Sequence, residues 1–242
     1  MWARTANATA ASVFPRSANA IAAALGSALG VALLAALAWK QIRLVGDFRV
    51  DDAYITFSFA KNLAAGHGPV FSHGVRVEGY SNFLWMVLIA LGYLVRPSAD
   101  PYTTARCFAF LFLAGALAGV YRLVRPRAGR IPAFVALALV LSNSDIVRAA
   151  LSGLETVPFL ACIVLGWASY LDPARSRRAS SLGWFAAAAL MRIDGFVPLF
   201  TVLGYELVSS LAERRWRLRS YLAWAAPAVG LWLGYFVWRY RY

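Results

Sequence analysis

Two adjacent carboxylates, Asp51 and Asp52, stand at the start of a short amphipathic segment. Asp is favoured where a helix begins, because its side chain accepts hydrogen bonds from unpaired N–H groups and its charge suits the helix dipole. One Asp is enough for that task, and a second carboxylate beside an apolar surface costs energy. The pair is therefore either a helix cap or a functional pair that acts as a proton acceptor or a cation ligand.

The residues after this pair predict a helix that lies along a membrane surface. Ile55, Phe59 and Leu63 recur every four residues and form one apolar stripe, which we expect to face lipid. A Gly-His-Gly-Pro stretch at 66–69 ends the helix. The carboxylate pair would then lie at the membrane interface.

A second charged stretch, residues 75–85, follows with the sequence Val-Arg-Val-Glu-Gly-Tyr-Ser-Asn-Phe-Leu-Trp. Ser81 or Asn82 can cap the next helix, and Trp85 suits the membrane interface. For Glu78 the simple alternative to a functional role is a solvated loop charge.

The composition places these residues in a membrane protein. Of 242 residues 61% are hydrophobic and 14% are charged, and the mean hydropathy is +0.61. A soluble domain has about 25% charged residues and too little interior for so many apolar side chains. The net charge of +13 falls in arginine bursts between apolar runs. That pattern is typical of cytoplasmic loops and argues against a nucleic-acid partner.

The arginine bursts also predict the topology. They lie at 122–130, 175–178 and 214–219, and two apolar runs separate each burst from the next, so all three share one side. If the run 81–95 does not cross, the tail 1–17 joins them on the cytoplasmic side, as the positive-inside tendency requires. Residues 18–242 then form one module with a long outer segment at about 42–101. Seven helices would cross, within 18–39, 102–121, 131–147, 157–171, 180–191, 195–211 and 221–238.

The long string DDAYITFSFAKNLAAGHGPVF and the later RVEGYSNFLW resemble the first outer loop of GT-C glycosyltransferases. The resemblance is greatest to actinobacterial arabinofuranosyltransferases that add terminal β-1,2 residues to cell-wall arabinan. Two shorter stretches agree with it, Ser-Gly-Leu-Glu-Thr at 152–156 and Leu-Met-Arg-Ile-Asp-Gly at 190–195. The resemblance implies a GT-C-type bundle of about seven transmembrane helices, with two juxtamembrane helices in its first outer loop.

The activity that the resemblance implies is inverting transfer of a sugar, arabinofuranose in the nearest relatives, from a polyprenyl phosphate. The acceptor would be a hydroxyl of a cell-envelope glycan on the outer face of the plasma membrane. A carboxylate would remove the hydroxyl proton, and arginine would neutralise the lipid phosphate. The enzymes of this family continue into further helices, so the resemblance is to their N-terminal module and we expect a truncated or split chain.

The resemblance also suggests roles for single residues. Asp52 is the expected base and Asp51 the second choice. Glu155 and Asp194 fall on the outer side, where they would position the acceptor or hold a divalent cation, for which Asp51 and Glu155 are the candidate ligands. For Glu155 the alternative is a helix cap. Further candidates for substrate binding are Lys61, Arg76, Glu78, Tyr80, Arg148 and Arg192.

Three alternatives stay open. Arg192 has the simpler interpretation of an anchor at a helix end. Glu206 lies in an apolar run and is either a functional charge or one that reaches an aqueous edge. The chain as a whole would also fit a non-catalytic subunit that binds a lipid carrier or assists assembly. A transporter fits less well, because transport folds tend to show internal repeats.

Overall fold

The structure, a computed structural model, describes residues 16–72, 77, 79–173, 175–212 and 218–241. Within these residues the chain forms ten α-helices and one 3-10 turn, Ile193–Gly195, and it forms no strand. The helices are α1 (Arg16–Val45), α2 (Ala53–Ala64), α3 (Phe83–Val95), α4 (Pro101–Ala128), α5 (Arg130–Ser142), α6 (Ser144–Leu151), α7 (Thr156–Tyr170), α8 (Arg175–Met191), α9 (Phe196–Ala212) and α10 (Leu218–Arg241).

The all-α membrane protein predicted from the sequence is confirmed. By length and composition, three stretches are able to cross a membrane: Ala24–Val45, Pro101–Ala128 and Ile193–Ala212. The bent pair of α5 and α6 passes the same test as a fourth unit. Three apolar stretches, in α3, α7 and α8, are shorter. A total of seven crossings therefore stays a prediction.

The apolar run 131–147 is not the single straight helix that its sequence predicts. The chain bends by 60° between α5 and α6. Asn143 lies at the break in an extended conformation, and its side-chain oxygen accepts a hydrogen bond from the N–H of Asp145 at 2.9 Å. A side chain that caps the next helix in this way competes with continuation of the previous one. After the bend, α6 packs against α1, α4 and α7 and leads directly into the loop at 152–155.

The two helices of the predicted outer segment, α2 and α3, pack against each other. Ala53, Thr56, Phe57 and Ala60 are buried at helical spacing. The prediction that Ile55, Phe59 and Leu63 form one lipid-facing stripe is wrong, because these side chains do not share one environment. Ile55 is 42% exposed, whereas Phe59 is 1% exposed. The reason is that residues 79–80 fold back over Phe59 and replace the lipid contact that the periodicity suggested.

The centre of the bundle is α7, which packs between α4 and α8. Glycines allow the close approach on both sides. A Cβ at Gly119 would come within 2.8 Å of Val164, and a Cβ at Gly166 within 2.5 Å of Phe185. This packing fixes the start of α7 and the end of α8, where the charged residues of the later motifs lie.

Candidate active site

The loop at 152–155 holds the chain just before α2. Val50 donates its N–H to the carbonyl of Ser152 at 3.3 Å. Tyr102 donates its hydroxyl to the carbonyl of Val50 at 2.7 Å. The indole N–H of Trp85 donates to the carbonyl of Gly153 at 3.0 Å. Two motifs that lie about 100 residues apart in the sequence therefore meet at the start of α2.

Gly153 makes this contact close. Its φ is +87°, a conformation that favours glycine. A Cβ at this position would lie 2.8 Å from the Tyr102 ring and 3.0 Å from Ala53 and Phe57. Position 153 therefore favours glycine for two reasons, its left-handed backbone conformation and the lack of space for a Cβ atom.

Asp52 occupies the N-cap position of α2, but its side chain makes no capping hydrogen bond. Its backbone is helical, with φ −59° and ψ −23°. The N–H groups of Tyr54 and Ile55 instead bond to the main-chain oxygens of Asp51 and Asp52, at 3.0 and 3.2 Å. Both aspartates are exposed. The capping interpretation is therefore wrong for the side chain of Asp52.

A chain of polar side chains, which we call the outer polar chain after the side of the membrane predicted for it, runs from α2 to the end of α8. It consists of Thr56, Asn82, Glu155, Arg192 and Asp194. The Asn82 amide donates to Thr56 Oγ1 at 3.0 Å and to Glu155 Oε2 at 2.9 Å. Arg192 Nη1 donates to Glu155 Oε1 at 3.2 Å, and its Nη2 donates to Asp194 Oδ2 at 3.3 Å. Four of the sequence motifs therefore meet in one network.

The outer polar chain begins one helical turn from the predicted base. Thr56 follows Asp52 by four residues, and side chains at this spacing are about 5–6 Å apart between Cβ atoms on one helix face. Asp52 is exposed while Thr56 is 4% exposed. The aspartate thus lies at the edge of the network.

Burial changes along the outer polar chain. Asn82 and Glu155 are 7% and 8% exposed, so their hydrogen bonds satisfy groups that would be costly to bury alone. The Arg192 side chain is 39% exposed, and its guanidinium lies 5.6 Å from the Phe159 ring centroid. Arg192 therefore presents a positive charge, held in place by its partners, at an accessible surface.

An apolar groove of about 300 Å³ opens beside the outer polar chain. Its lining includes Ser81 and Ile193, which directly adjoin Asn82 and Arg192 in the chain. The other walls come from α8, α9 and α10 and are mostly aromatic. Arg239, near the end of α10, is the charged residue of the lining, and its Nη1 lies 3.5 Å from the hydroxyl of Tyr235. The groove suits an apolar chain with an anionic head.

An anchor fixes the segment before α2. Arg106 Nη2 donates to Asp47 Oδ1 at 2.6 Å and to the carbonyl of Phe48 at 2.9 Å, while its Nε donates to the carbonyl of Leu151 at 3.0 Å. The hydrogen bond from Arg106 lowers the pKa of Asp47, and the positive charges of Arg106 and Arg49 lower it further. Desolvation raises it, but by less than the hydrogen bond lowers it.

Several predicted site residues lie elsewhere or are occupied. Lys61 is exposed in the last turn of α2, nine residues after Asp52. Arg148 pairs with Asp145 at 3.3 Å on α6. Tyr80 is 7% exposed, and its ring packs against Phe59 at 5.0 Å between centroids.

Of the three remaining residues singled out from the sequence, the structure describes one. Glu206 accepts a hydrogen bond from the hydroxyl of Tyr170 at 2.5 Å, between α9 and α7. Arg76 and Glu78 lie outside the described residues.

The residues do not fit the suggested divalent cation at Glu155. Both of its oxygens already accept hydrogen bonds, one from Asn82 and one from Arg192. Among the described residues, no three His, Cys, Asp or Glu side chains form a group that could hold a metal ion. We therefore derive no step through a metal.

Sequence reasoning missed the roles of Thr56, Asn82 and Arg106. The sequence offers Ser81 or Asn82 as the cap of α3, and Asn82 occupies that position, but its side chain makes no capping bond there. The Tyr-Ser-Asn-Phe stretch does not show which polar residue is buried, since Ser81 is exposed and Asn82 is buried. Arg106 lay within a predicted span and gave no separate signal.

The chain is similar to a terminal β-(1→2)-arabinofuranosyltransferase from Mycobacterium tuberculosis (strain ATCC 25618 / H37Rv). The two are 32% identical over 182 residues, a match that covers 70% of this chain and 29% of that protein. The chain thus spans less than a third of this curated relative's length. No family model and no solved structure matches the chain. The similarity supports a relationship between this chain and that arabinofuranosyltransferase.

Proposed function

We propose that this chain is the membrane module of an inverting glycosyltransferase that uses a polyprenyl-phosphate donor. It would transfer a sugar, arabinofuranose by analogy with its relative, to a hydroxyl of a cell-envelope glycan at the outer face of the plasma membrane. The observation that carries the proposal is the position of Asp52. This exposed, non-capping carboxylate lies one turn from a network that contains an accessible arginine, Arg192.

The apolar groove supports a lipid-linked donor. Its aromatic walls would receive isoprenoid units through van der Waals packing, the contact that acts where the alternative surrounding is lipid rather than water. Arg239 at the groove adds a positive charge. An amphiphile with a phosphate head matches both features.

Arg192 is the proposed partner of the donor phosphate. Glu155 and Asp194 each bind one of its terminal nitrogens, while over a third of its side chain stays exposed. Guanidinium groups recognise phosphate oxygens through paired N–H donors. A cation held in place before the reaction stabilises charge on the leaving phosphate without reorganisation.

The proposed chemical step is a single displacement. The acceptor hydroxyl transfers its proton to the Asp52 carboxylate, and its oxygen forms a bond to the anomeric carbon of the donor. The bond from that carbon to the phosphate oxygen breaks, and its electron pair leaves with the polyprenyl phosphate. Attack opposite the leaving group inverts the anomeric configuration. A product that keeps the donor's configuration would contradict a single displacement.

The test compares Asp52→Asn with Asp145→Asn in sugar transfer from polyprenyl-phosphate arabinose to an arabinan oligosaccharide. Asp145 is a matched control, because it is also an exposed aspartate at the start of a helix. We expect Asp52→Asn to reduce transfer by about 10²–10⁴-fold, the usual contribution of a general base. Asp145→Asn should keep transfer close to the unmodified level. Equal activity of Asp52→Asn and the unmodified chain would reject Asp52 as the base.

The alternative is a subunit that binds the lipid carrier without catalysis. The groove alone would suffice for that function, and the chain corresponds to 29% of its relative's length. Saturable binding of polyprenyl-phosphate arabinose, with no product under conditions in which the full-length relative reacts, would favour the subunit.

A further inference from the structure

We infer that Asn82 is a positioning residue, which holds Glu155 so that Glu155 in turn holds Arg192 at the donor phosphate. This inference rests on the proposed function for the role of Arg192. Asn82 itself contacts no substrate. It would act through two successive contacts, the 2.9 Å bond to Glu155 and the 3.2 Å ion pair of Glu155 with Arg192.

The first step of the argument concerns the supply of hydrogen-bond donors to Glu155. An ionised carboxylate only accepts hydrogen bonds. Its Oε1 is paired with Arg192, so Oε2 needs a separate donor in a residue that is 8% exposed. The amide of Asn82 is that donor. Because the two oxygens bond in different directions, the carboxylate plane is fixed rather than free to rotate.

The second step concerns Asn82 itself. It occupies the N-cap position of α3 and forgoes the capping bond that this position favours. Thr56 on α2 binds the same amide at 3.0 Å. The orientation of the Asn82 side chain is therefore set by its hydrogen bonds to Thr56 and Glu155 rather than by the helix that it begins. Through it, α2 with the proposed base is joined to the arginine at the end of α8.

The third step concerns what the loss of Asn82 would do. Without the amide, Oε2 of a buried carboxylate lacks its protein donor, and Glu155 is expected to rotate toward other partners. The guanidinium of Arg192 would then lose one of its two fixed contacts. Its charge would remain, but its position would spread over several rotamers. The donor should bind less tightly, while the chemical step from bound donor changes less.

The experiment measures donor KM and kcat for Asn82→Ala against Asn62→Ala. Asn62 is the matched control because its amide also makes two hydrogen bonds in the outer segment, to the carbonyls of Val70 and Phe71, and neither partner is charged. We expect Asn82→Ala to raise donor KM by roughly tenfold or more with a smaller change in kcat. Asn62→Ala should leave donor KM near that of the unmodified chain, whatever it does to the yield of folded protein.

A second variant separates positioning from general destabilisation. Asn82→Asp keeps the shape but places a carboxylate beside Glu155, near Arg192, with Asp52 and Asp194 as the other acids around the network. Two neighbouring carboxylates repel each other, and Glu155 Oε2 then lacks a donor. This variant should therefore raise the donor KM at least as much as Asn82→Ala does, with a smaller change in kcat. A merely structural role of Asn82 predicts instead that the yield of folded protein falls while the donor KM stays near that of the unmodified chain.

The outcomes distinguish this inference from the proposed function. If the unmodified chain transfers sugar and Asn82→Ala has an unchanged donor KM, the positioning role is overturned and the proposed function stands. If no chain transfers sugar, binding of polyprenyl phosphate to the same variants is compared in detergent micelles. Weaker binding by Asn82→Ala than by Asn62→Ala then supports the positioning role although the proposed reaction fails. Equal binding overturns it.

Discussion

Arg106 and Asp47 form an ion pair at 2.6 Å that joins α4 to the chain leaving α1. The same guanidinium reaches the carbonyl of Leu151 at the end of α6. The Arg106 side chain thus holds together the two segments that meet at the start of α2, residues 47–48 and the end of α6. The placement of Asp51 and Asp52 depends on this anchor, although neither aspartate contacts Arg106 through a hydrogen bond described in the structure.

Disrupting the anchor should lower thermal stability and activity together. We expect Arg106→Ala to be more harmful than Asp47→Ala, because it also removes hydrogen bonds to the carbonyls of Phe48 and Leu151. The double variant should be less destabilised than the sum of the two single variants, since they share one interaction. Thermal unfolding in detergent measures all four proteins of this cycle. Additive effects would mean that the ion pair contributes no coupling.

The pH dependence of this coupling follows from the pKa of Asp47, which Arg106 lowers in the folded state. A carboxyl with a lowered pKa contributes stability above its unfolded pKa, and that stability is lost as the pH falls through the folded value. The coupling measured in the cycle should therefore be constant from about pH 8 to about pH 5 and decline only in stronger acid. A decline near neutral pH would contradict the assignment.

Gly153→Ala should destabilise the protein through the start of α2. The substituted residue would keep φ near +87° and push its methyl group against Tyr102 and Ala53. The combined cost of the left-handed backbone and the overpacking is about 2–4 kcal/mol. Gly183→Ala is the control, since a Cβ there meets nothing within 4 Å. Comparable melting temperatures for the two variants would show that the contact at Gly153 is not tight.

Filling the apolar groove should block the donor. Ala189 lines the groove, and Ala189→Leu would occupy part of its roughly 300 Å³. The control is Ala138→Leu, which fills a second apolar groove of about 410 Å³ between α1 and α5. We expect the first variant to raise donor KM at least several-fold and the second to leave it unchanged, with size-exclusion profiles to verify folding. An equal effect of both would remove the groove from the proposed site.

Cysteine labelling tests the predicted topology. With Cys107 and Cys162 replaced by Ser and Ala, single cysteines are introduced as Asp145→Cys and Arg125→Cys, both at exposed positions. An impermeant thiol reagent added to intact cells should label the first and not the second. Labelling of the second alone would invert the orientation, and labelling of both would place α5 and α6 outside the membrane.

Sequence reasoning identified the helical segments and the motifs that meet, because apolar run length and arginine position are local properties of the chain. Topology placed Glu155 and Asp194 only on the same predicted side of the membrane, whereas the structure joins both to Arg192 by hydrogen bonds. The role of Asn82 was not accessible, because its partners are 26 and 73 residues away.

Two other errors have different origins. The stripe of Ile55 and Phe59 is a correct periodicity, but which side of a helix meets protein depends on what folds over it. Residues 79–80 pack over Phe59, and the sequence of α2 alone does not predict this contact. The break at Asn143 could have been predicted locally, since Ser-Asn-Ser favours helix capping. It was missed because the surrounding run 131–147 is apolar enough to be interpreted as one helix.

The meeting of Gly153 with Ala53 has a consequence for biosynthesis. The ribosome delivers the paired aspartates about 100 residues before the glycine that packs beside them, and Arg192 emerges later still. During that interval the carboxylates have no arginine network to join. The proposed site can therefore form only after α8 and residues 192–194 have been synthesised, so an arrest of translation before that point would leave Asp51, Asp52 and Glu155 without Arg192.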